Sequence, residues 1–248
     1  MVERLSARLY PKVWGSEVWF EHRDRLPVLI KFITTFDKLS VQVHPDDKYA
    51  LRHHKCAGKT EMWHILAAHP DARIAAGFRQ QLTRPQLRRA ALSGEIEELL
   101  TWHPARAGDT FFIPAGTVHA IGGGMTLCEI QQYSDITYRL YDYGRGRELH
   151  LDHALAVSHG TPHEGPRKSR NGELVCCDYF TTVRKRVKGR ARFDPQFNLF
   201  VIAGGEGQIA GQDAREGDVL YALPGSGPAA VEGELTVLAV AMKQGGSR

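Results

Sequence analysis

The chain has 248 residues, 42% of them hydrophobic and 24% charged, with a formal net charge of +4. These proportions exclude a disordered, collagen-like or coiled-coil chain, and no run approaches the roughly 18 apolar residues that a membrane span requires. The mild positive charge favours an anionic ligand. No basic stripe interleaved with aromatics marks a nucleic-acid surface, so neither nucleic acid nor membrane is expected as a partner.

In chain order, MVERLSARLYPKVWG (1–15) has no apolar core of the kind a secretion signal carries. Cys56, Cys128, Cys176 and Cys177 form no Cys-x-x-Cys pair, which points to free thiols in a reducing, cytoplasmic compartment. Short β-branched and aromatic runs then predict strands at 28–36, 39–44, 62–68, 109–114, 126–133, 136–143, 197–204, 218–223 and 235–242. Many short strands separated by Gly, Pro and Asp turns argue for an all-β sandwich or barrel. One segment, TRPQLRRAALSGEIEELLTW (83–102), breaks the pattern. A Thr83 cap, Pro85 near a first turn and leucines at helical spacing around Ser93-Gly94 predict two short helices inserted between strands. Residues 160–173 are polar and turn-rich and read as a loop between two β halves.

An internal echo supports the two halves. ARAGDTFFIPAG (105–116) and AREGDVLYALPG (214–225) share Ala-Arg-x-Gly-Asp, an apolar run and a Pro/Gly turn. The first continues to His119; the second carries no metal-ligand residue there. The expected fold is therefore mostly β. It comprises a metal-competent half at 1–159, with the helical insert at about 83–102, and a degenerate half at 174–248 without metal.

Four segments carry chemistry. In LSVQVHPDD, alternation puts Ser40, Gln42 and His44 on one strand face, with Gln42 and His44 about 7 Å apart. Such a face suits a pocket, or an edge strand with its polar side in water, better than an apolar core. Glu61 opens the next strand, with Lys59 two residues before it. His64 falls on the opposite face from Glu61 and is left out of the site. Asp46-Asp47 after Pro45 read as a turn and helix cap. The third segment, GDTFFIPAGTVH (108–119), has the Gly-x5-Pro-x-Gly-x2-His spacing that resembles the second signature of cupin (jelly-roll) barrels, in which the turn aims the histidine inward. Two imidazoles, one carboxylate and one amide, from His44, His119, Glu61 and Gln42, would suit zinc with an open position. In the fourth segment, CEIQQYSDITYRLYDYGR, residues Glu129, Asp135 and Arg139 stand at even offsets. On one unbroken strand that spacing would put all three on one face.

Together LPVLIKFI, LSVQVHPDD, GKTEMWHIL, SGEIEELL, RAGDTFFIPAGTVHAI and EIQQYSDITYRLYDYGR stand in family order and resemble the type I mannose-6-phosphate isomerases. The resemblance implies two cupin-like barrels and one Zn2+ per chain held by Gln42, His44, Glu61 and His119. It implies catalytic roles for Arg139, Lys59 and Asp135, and contacts to a small sugar-phosphate substrate from Lys31 and Ser40 on the phosphate side, with Glu129 beside them. The implied activity is interconversion of mannose 6-phosphate and fructose 6-phosphate through an enediol. Long family members read His-Lys-Pro-Glu where this chain has Gly58-Lys59-Thr60-Glu61, so no catalytic histidine carries over at that position. Two rival readings are a different cupin metalloenzyme acting on a sugar phosphate and a non-catalytic sugar-phosphate-binding cupin.

Overall fold

The alternating runs pair into antiparallel sheets in the computed structural model, which describes residues 1–243. The chain forms two compact units. One comprises Leu9–Val18 and Leu29–Arg167; the other comprises Met1–Arg8, Trp19–Val28 and the described residues from Lys168 onward. Residues 1–8 thus group with the C-terminal residues, because strand Val2–Arg4 pairs with Val219–Ala222, Val2 opposite Ala222.

Two sheets meet in the first unit. A five-stranded sheet runs in the order Tyr138–Tyr141, Val41–Val43, His119–Ile121, Arg73–Phe78, Leu100–Pro104. A six-stranded sheet holds Val28–Thr35, Met125–Gln132, Glu61–Ala68 and Thr110–Ile113 side by side, with Gly15–Glu21 and Ser6–Lys12 at its other edge. Period-two alternation sorts the faces. Ile74, Ala76 and Ile121 of the first sheet pack against Ile33, Trp63, Ile65, Phe111 and Leu127 of the second. The residues between them in sequence, Ala75 and Ala120, together with Val41 and Val43, turn outward onto a helical layer. That layer supplies Leu87, Ala90, Ala91, Ile96, Ala154 and Leu155. Burying such side chains is worth about 1.5–3 kcal/mol each for the larger ones.

The helical insert forms as Arg84–Ser93 and Ile96–Leu99. Thr83 caps the first helix, accepting from Gln86 N while Gln86 Oε1 accepts from Thr83 N at 2.9 Å. The insert is shorter than the 83–102 expectation. Leu100–Pro104 is a strand, Leu100 opposite Phe78 and Trp102 opposite Ala75, so long-range pairing overrides local helix preference there. Two helices are additional: Asp47–His54, capped by Asp46 as expected, and Leu151–Val157. No helix among the described residues is long and apolar enough to cross a membrane.

The other unit is built on a seven-stranded antiparallel sheet. Strand Phe180–Phe193 pairs along its whole length with Ala229–Met242, which pairs in turn with Leu199–Ile209. Its core consists of Val187, Phe193, Phe200, Ile202, Leu220, Val231, Val237 and their apolar neighbours. The chain is mostly β, as its composition and turn spacing predict.

Candidate metal and substrate site

The site lies in the first unit, where polar side chains interrupt the apolar interface between its two sheets. Gln42 stands directly opposite His119 on one side and Arg139 on the other. All three therefore share the inward face. Glu61 comes from the facing sheet, with Gln131 and Ile113 as its cross-strand partners.

His44, Glu61 and His119 bring one ligand atom each within 4.8 Å of one another, and all three are buried. The Nδ1 of His44 lies 2.9 Å from the Ile136 carbonyl, and that of His119 lies 2.9 Å from the Thr117 carbonyl. A carbonyl only accepts, so each Nδ1 carries the proton and each Nε2 presents a lone pair. Both Nε2 atoms lie 3.5 Å from Glu61 Oε1. That oxygen is buried and has no hydrogen-bond partner. Three acceptors thus converge: His44 Nε2 meets the Lys59 ammonium at 3.2 Å, His119 Nε2 meets the Gln42 amide nitrogen at 3.2 Å, and Glu61 Oε1 has no donor, so a cation between them would satisfy all three. Burial, reinforced by His44, pushes the His119 imidazole down to about 3, so it is neutral as a metal ligand must be. Burial and the Lys59 charge lower His44 as well. Burial alone would raise Glu61, but Lys59 and the two histidines hold it well below the usual carboxylate range. The residues present fit a divalent metal of the zinc type. Gln42 borders the cluster, its Nε2 at 3.2 Å from His119 Nε2 and its Oε1 accepting from Ser40 Oγ at 3.3 Å. Rotating the amide exchanges nitrogen for oxygen at the same place.

Beside this cluster opens a cavity of about 290 Å3, lined by Lys12, Lys31, Lys59, Arg139 and Arg147 and by Glu17, Glu129 and Asp135. Lys59 donates to Glu61 Oε2 at 2.5 Å and lies 3.6 Å from Glu129 Oε1. Against the effect of burial, Glu129 and Glu61 raise its ammonium above the ordinary lysine value, so it stays charged. Glu129 accepts from Trp63 Nε1 at 2.9 Å and faces Lys31 at 3.5 Å. Burial and the neighbouring Glu61 push its carboxyl up, against the pull of the two lysines. Lys31 also lies 3.8 Å from Glu17 and 3.9 Å from Asp135. Arg139 donates through Nη1 to the Glu148 carbonyl at 2.6 Å, while its Nε is buried and has no partner.

Every residue picked from the sequence, Lys31, Ser40, Gln42, His44, Lys59, Glu61, His119, Glu129, Asp135 and Arg139, thus comes to the cluster or the cavity. The single-strand derivation for three of them does not hold. Glu129 sits on Met125–Gln132 in the six-stranded sheet, Asp135 on the turn that follows, and Arg139 on Tyr138–Tyr141 in the other sheet. They line one cavity because the chain crosses between facing sheets at 133–137. Even spacing along one strand is not the reason. His64 faces away, its Nδ1 at 2.9 Å from Thr110 Oγ1. Glu17, Trp63 and Arg147 were missed. Glu17 and Arg147 lie outside the motif segments, and a tryptophan on a β run reads as core.

Fold and site together define an antiparallel β protein with a buried metal-competent centre under a cation-lined cavity. The chain belongs to the mannose-6-phosphate isomerase family. It is 38% identical over 219 residues to the mannose-6-phosphate isomerase ManA of Bacillus subtilis, covering 78% of this chain and 69% of that one. It is 34% identical over 224 residues to the mannose-6-phosphate isomerase of Streptococcus mutans, covering 81% and 71% respectively. The crystal structure of the mannose 6-phosphate isomerase from Bacillus subtilis superimposes with a TM-score of 0.84 at 25% identity, over 96% of this chain and 98% of that one. No protein-family model matches the chain.

Proposed function

We propose that this chain is a zinc-dependent aldose–ketose isomerase that interconverts mannose 6-phosphate and fructose 6-phosphate through an enediol, with Gln42, His44, Glu61 and His119 as the metal-holding set. The observation that carries this reading is Glu61 Oε1, buried without a hydrogen-bond donor and 3.5 Å from the Nε2 atoms of two neutral histidines. When bound, the ion supplies a Lewis acid for oxygens on which negative charge develops. The names of the relatives support the substrate.

The residues divide the remaining work. Isomerisation moves a proton between carbons 1 and 2 after the ring has opened. Arg139 presents its fixed positive charge to the cavity where the enediolate gains negative charge. Lys59, charged and held between Glu61 and Glu129, donates to a substrate oxygen. Asp135, on the cavity wall and 72% exposed, exchanges protons with substrate hydroxyls and water during ring opening. Lys31 and Ser40 take the phosphate side, and Glu129 orients a hydroxyl with the carboxyl that Trp63 holds in place. Remote phosphate binding supplies energy that positions the reacting carbons.

At the level of architecture, each half of the chain is a cupin-like jelly-roll barrel, the metal-holding half within about 1–159 and the metal-free half at 174–248, with residues 1–8 and 19–28 grouping with the latter. Four cysteines without a disulfide support a cytoplasmic location.

A coupled assay with mannose 6-phosphate, run on chelated protein and after zinc is restored, tests the proposal. Turnover that disappears with chelation and returns with zinc is expected. A zinc-loaded protein that binds the sugar phosphate without converting it would establish the binding-only alternative and overturn this reading.

A further inference from the structure

Lys59 lies in, and Glu61 directly follows, a segment, Gly58–Thr60, that belongs to no strand. Its three backbone N–H groups are satisfied individually. Gly58 N donates to Asp47 Oδ1 at 2.8 Å, Lys59 N to the Pro45 carbonyl at 3.0 Å, and Thr60 N to Gln132 Oε1 at 2.8 Å. Gln132 Nε2 donates in turn to the same Asp47 oxygen at 2.9 Å, and Gln132 N donates to the Thr60 carbonyl at 3.1 Å. Gln132 is 5% exposed. The packing is close: a Cβ added to Gly58 would lie 2.5–2.8 Å from backbone atoms of Pro45, Asp46 and Asp47. The Thr60 hydroxyl accepts from Ala115 N at 3.2 Å, on the turn that leads to His119.

One carboxylate and one amide therefore join three stretches of chain. These are the stretch after His44, the stretch bearing Lys59 and Glu61, and the strand end between Glu129 and Asp135. We propose that Gln132 and Asp47 are positioning residues, a clip that fixes Lys59 and Glu61 in register with His44. The inference rests on the proposed metal site and touches none of its ligands directly. The Gln132 amide suits this role because it accepts from one backbone and donates to a carboxylate across the same gap. An aliphatic residue would leave Thr60 N unpaired in a buried place.

The test compares Gln132→Met and Asp47→Ala with Phe200→Leu, a core variant in the other unit that lowers the melting temperature without touching these segments. Zinc affinity is read by chelator competition below the unfolding transition, and hydrogen exchange is read on a peptide covering 56–62. Because the clip stands one step further out than the direct partners of metal ligands, whose loss costs about 10–100-fold, Gln132→Met is expected to lose about tenfold in zinc affinity and to exchange the 58–61 amides at least about tenfold faster. Asp47→Ala should show the same pattern more weakly and remains informative if Gln132→Met does not fold. Phe200→Leu should change neither quantity. Zinc affinity and exchange at wild-type levels in both clip variants, or losses matched by Phe200→Leu, would reduce the network to ordinary structure and overturn the proposal. If the unsubstituted protein showed no zinc-dependent turnover, the functional reading would fail, and exchange at 58–61 would still decide the clip.

Discussion

The two echoing segments fold alike and do different things. In the first, Gly108 N donates to the Ile65 carbonyl at 2.8 Å and Ile65 N to the Asp109 carbonyl at 2.9 Å; in the second, Gly217 N donates to Ile202 and Ile202 N to Asp218, both at 2.9 Å. The aspartate carboxylate accepts from Arg106 N at 2.9 Å in one and from Arg215 N at 3.0 Å in the other. On this shared frame, the residue four before the isoleucine is Glu61 in one unit and Asn198 in the other. Continuing the 109-residue offset, His119 corresponds to Pro228. Trp63, whose indole holds Glu129, corresponds to Phe200, which has only carbon to offer. Among the described residues of the second unit, Thr182 is the one polar residue buried as a whole, while the His22 side chain is also only 5% exposed. The turn frame therefore builds a β half, and a handful of side chains on its inner face decide whether that half holds chemistry or only a core.

The largest expected effect breaks the chemical side of this comparison. His119→Ala or Glu61→Gln should lower zinc affinity by at least about a hundredfold, beyond what outer partners alone cost, and abolish turnover. Metal analysis and the coupled assay check this. Full zinc occupancy in His119→Ala would refute the ligand set. Arg139→Ala comes next, with a fall in kcat of roughly a hundredfold to a thousandfold by analogy with the loss of an oxyanion donor and unchanged zinc content. Lys31→Ala should raise KM at least as much as it lowers kcat. Steady-state kinetics separate the two.

On the structural side, Phe200→Ala should destabilise the protein by about 3–5 kcal/mol while leaving zinc affinity intact, as denaturant melts and chelator competition would show. Smaller still are Gly108→Ala and Gly217→Ala. Their φ values of 93° and 91° are the same left-handed geometry, so each should cost about 1–2 kcal/mol. A clear inequality between them would break the equivalence of the two turns.

The smallest effect concerns Asp142 in the first unit. Burial would push its carboxyl up, but the Arg147 fork and the Arg145 and Arg139 charges outweigh it and hold the carboxyl below the ordinary aspartate value. A carboxyl depressed in the folded state stabilises above its unfolded pKa, roughly 4, and loses that contribution as pH falls through the folded value. The melting-temperature gap between the wild type and Asp142→Asn should therefore be full at neutral pH and close in acid below that point.

Most of the site was legible in the sequence because its signals are local. Alternation puts Gln42 and His44 on one face, the Pro114–Gly116 turn precedes His119, and Asp46 caps a helix, all within a few residues. The same locality explains what could not be read there. That Glu61 faces His44 and His119 from a second sheet, that Glu129 and Arg139 stand on different sheets around one cavity, and that residues 1–8 pair with Val219–Ala222 are matters of long-range pairing. So is the bond between Gln132 and Thr60, 72 positions apart in sequence. Period and turn chemistry determine which way a side chain points from its own strand. Only the free energy of pairing and burying whole strands decides which strand it then meets.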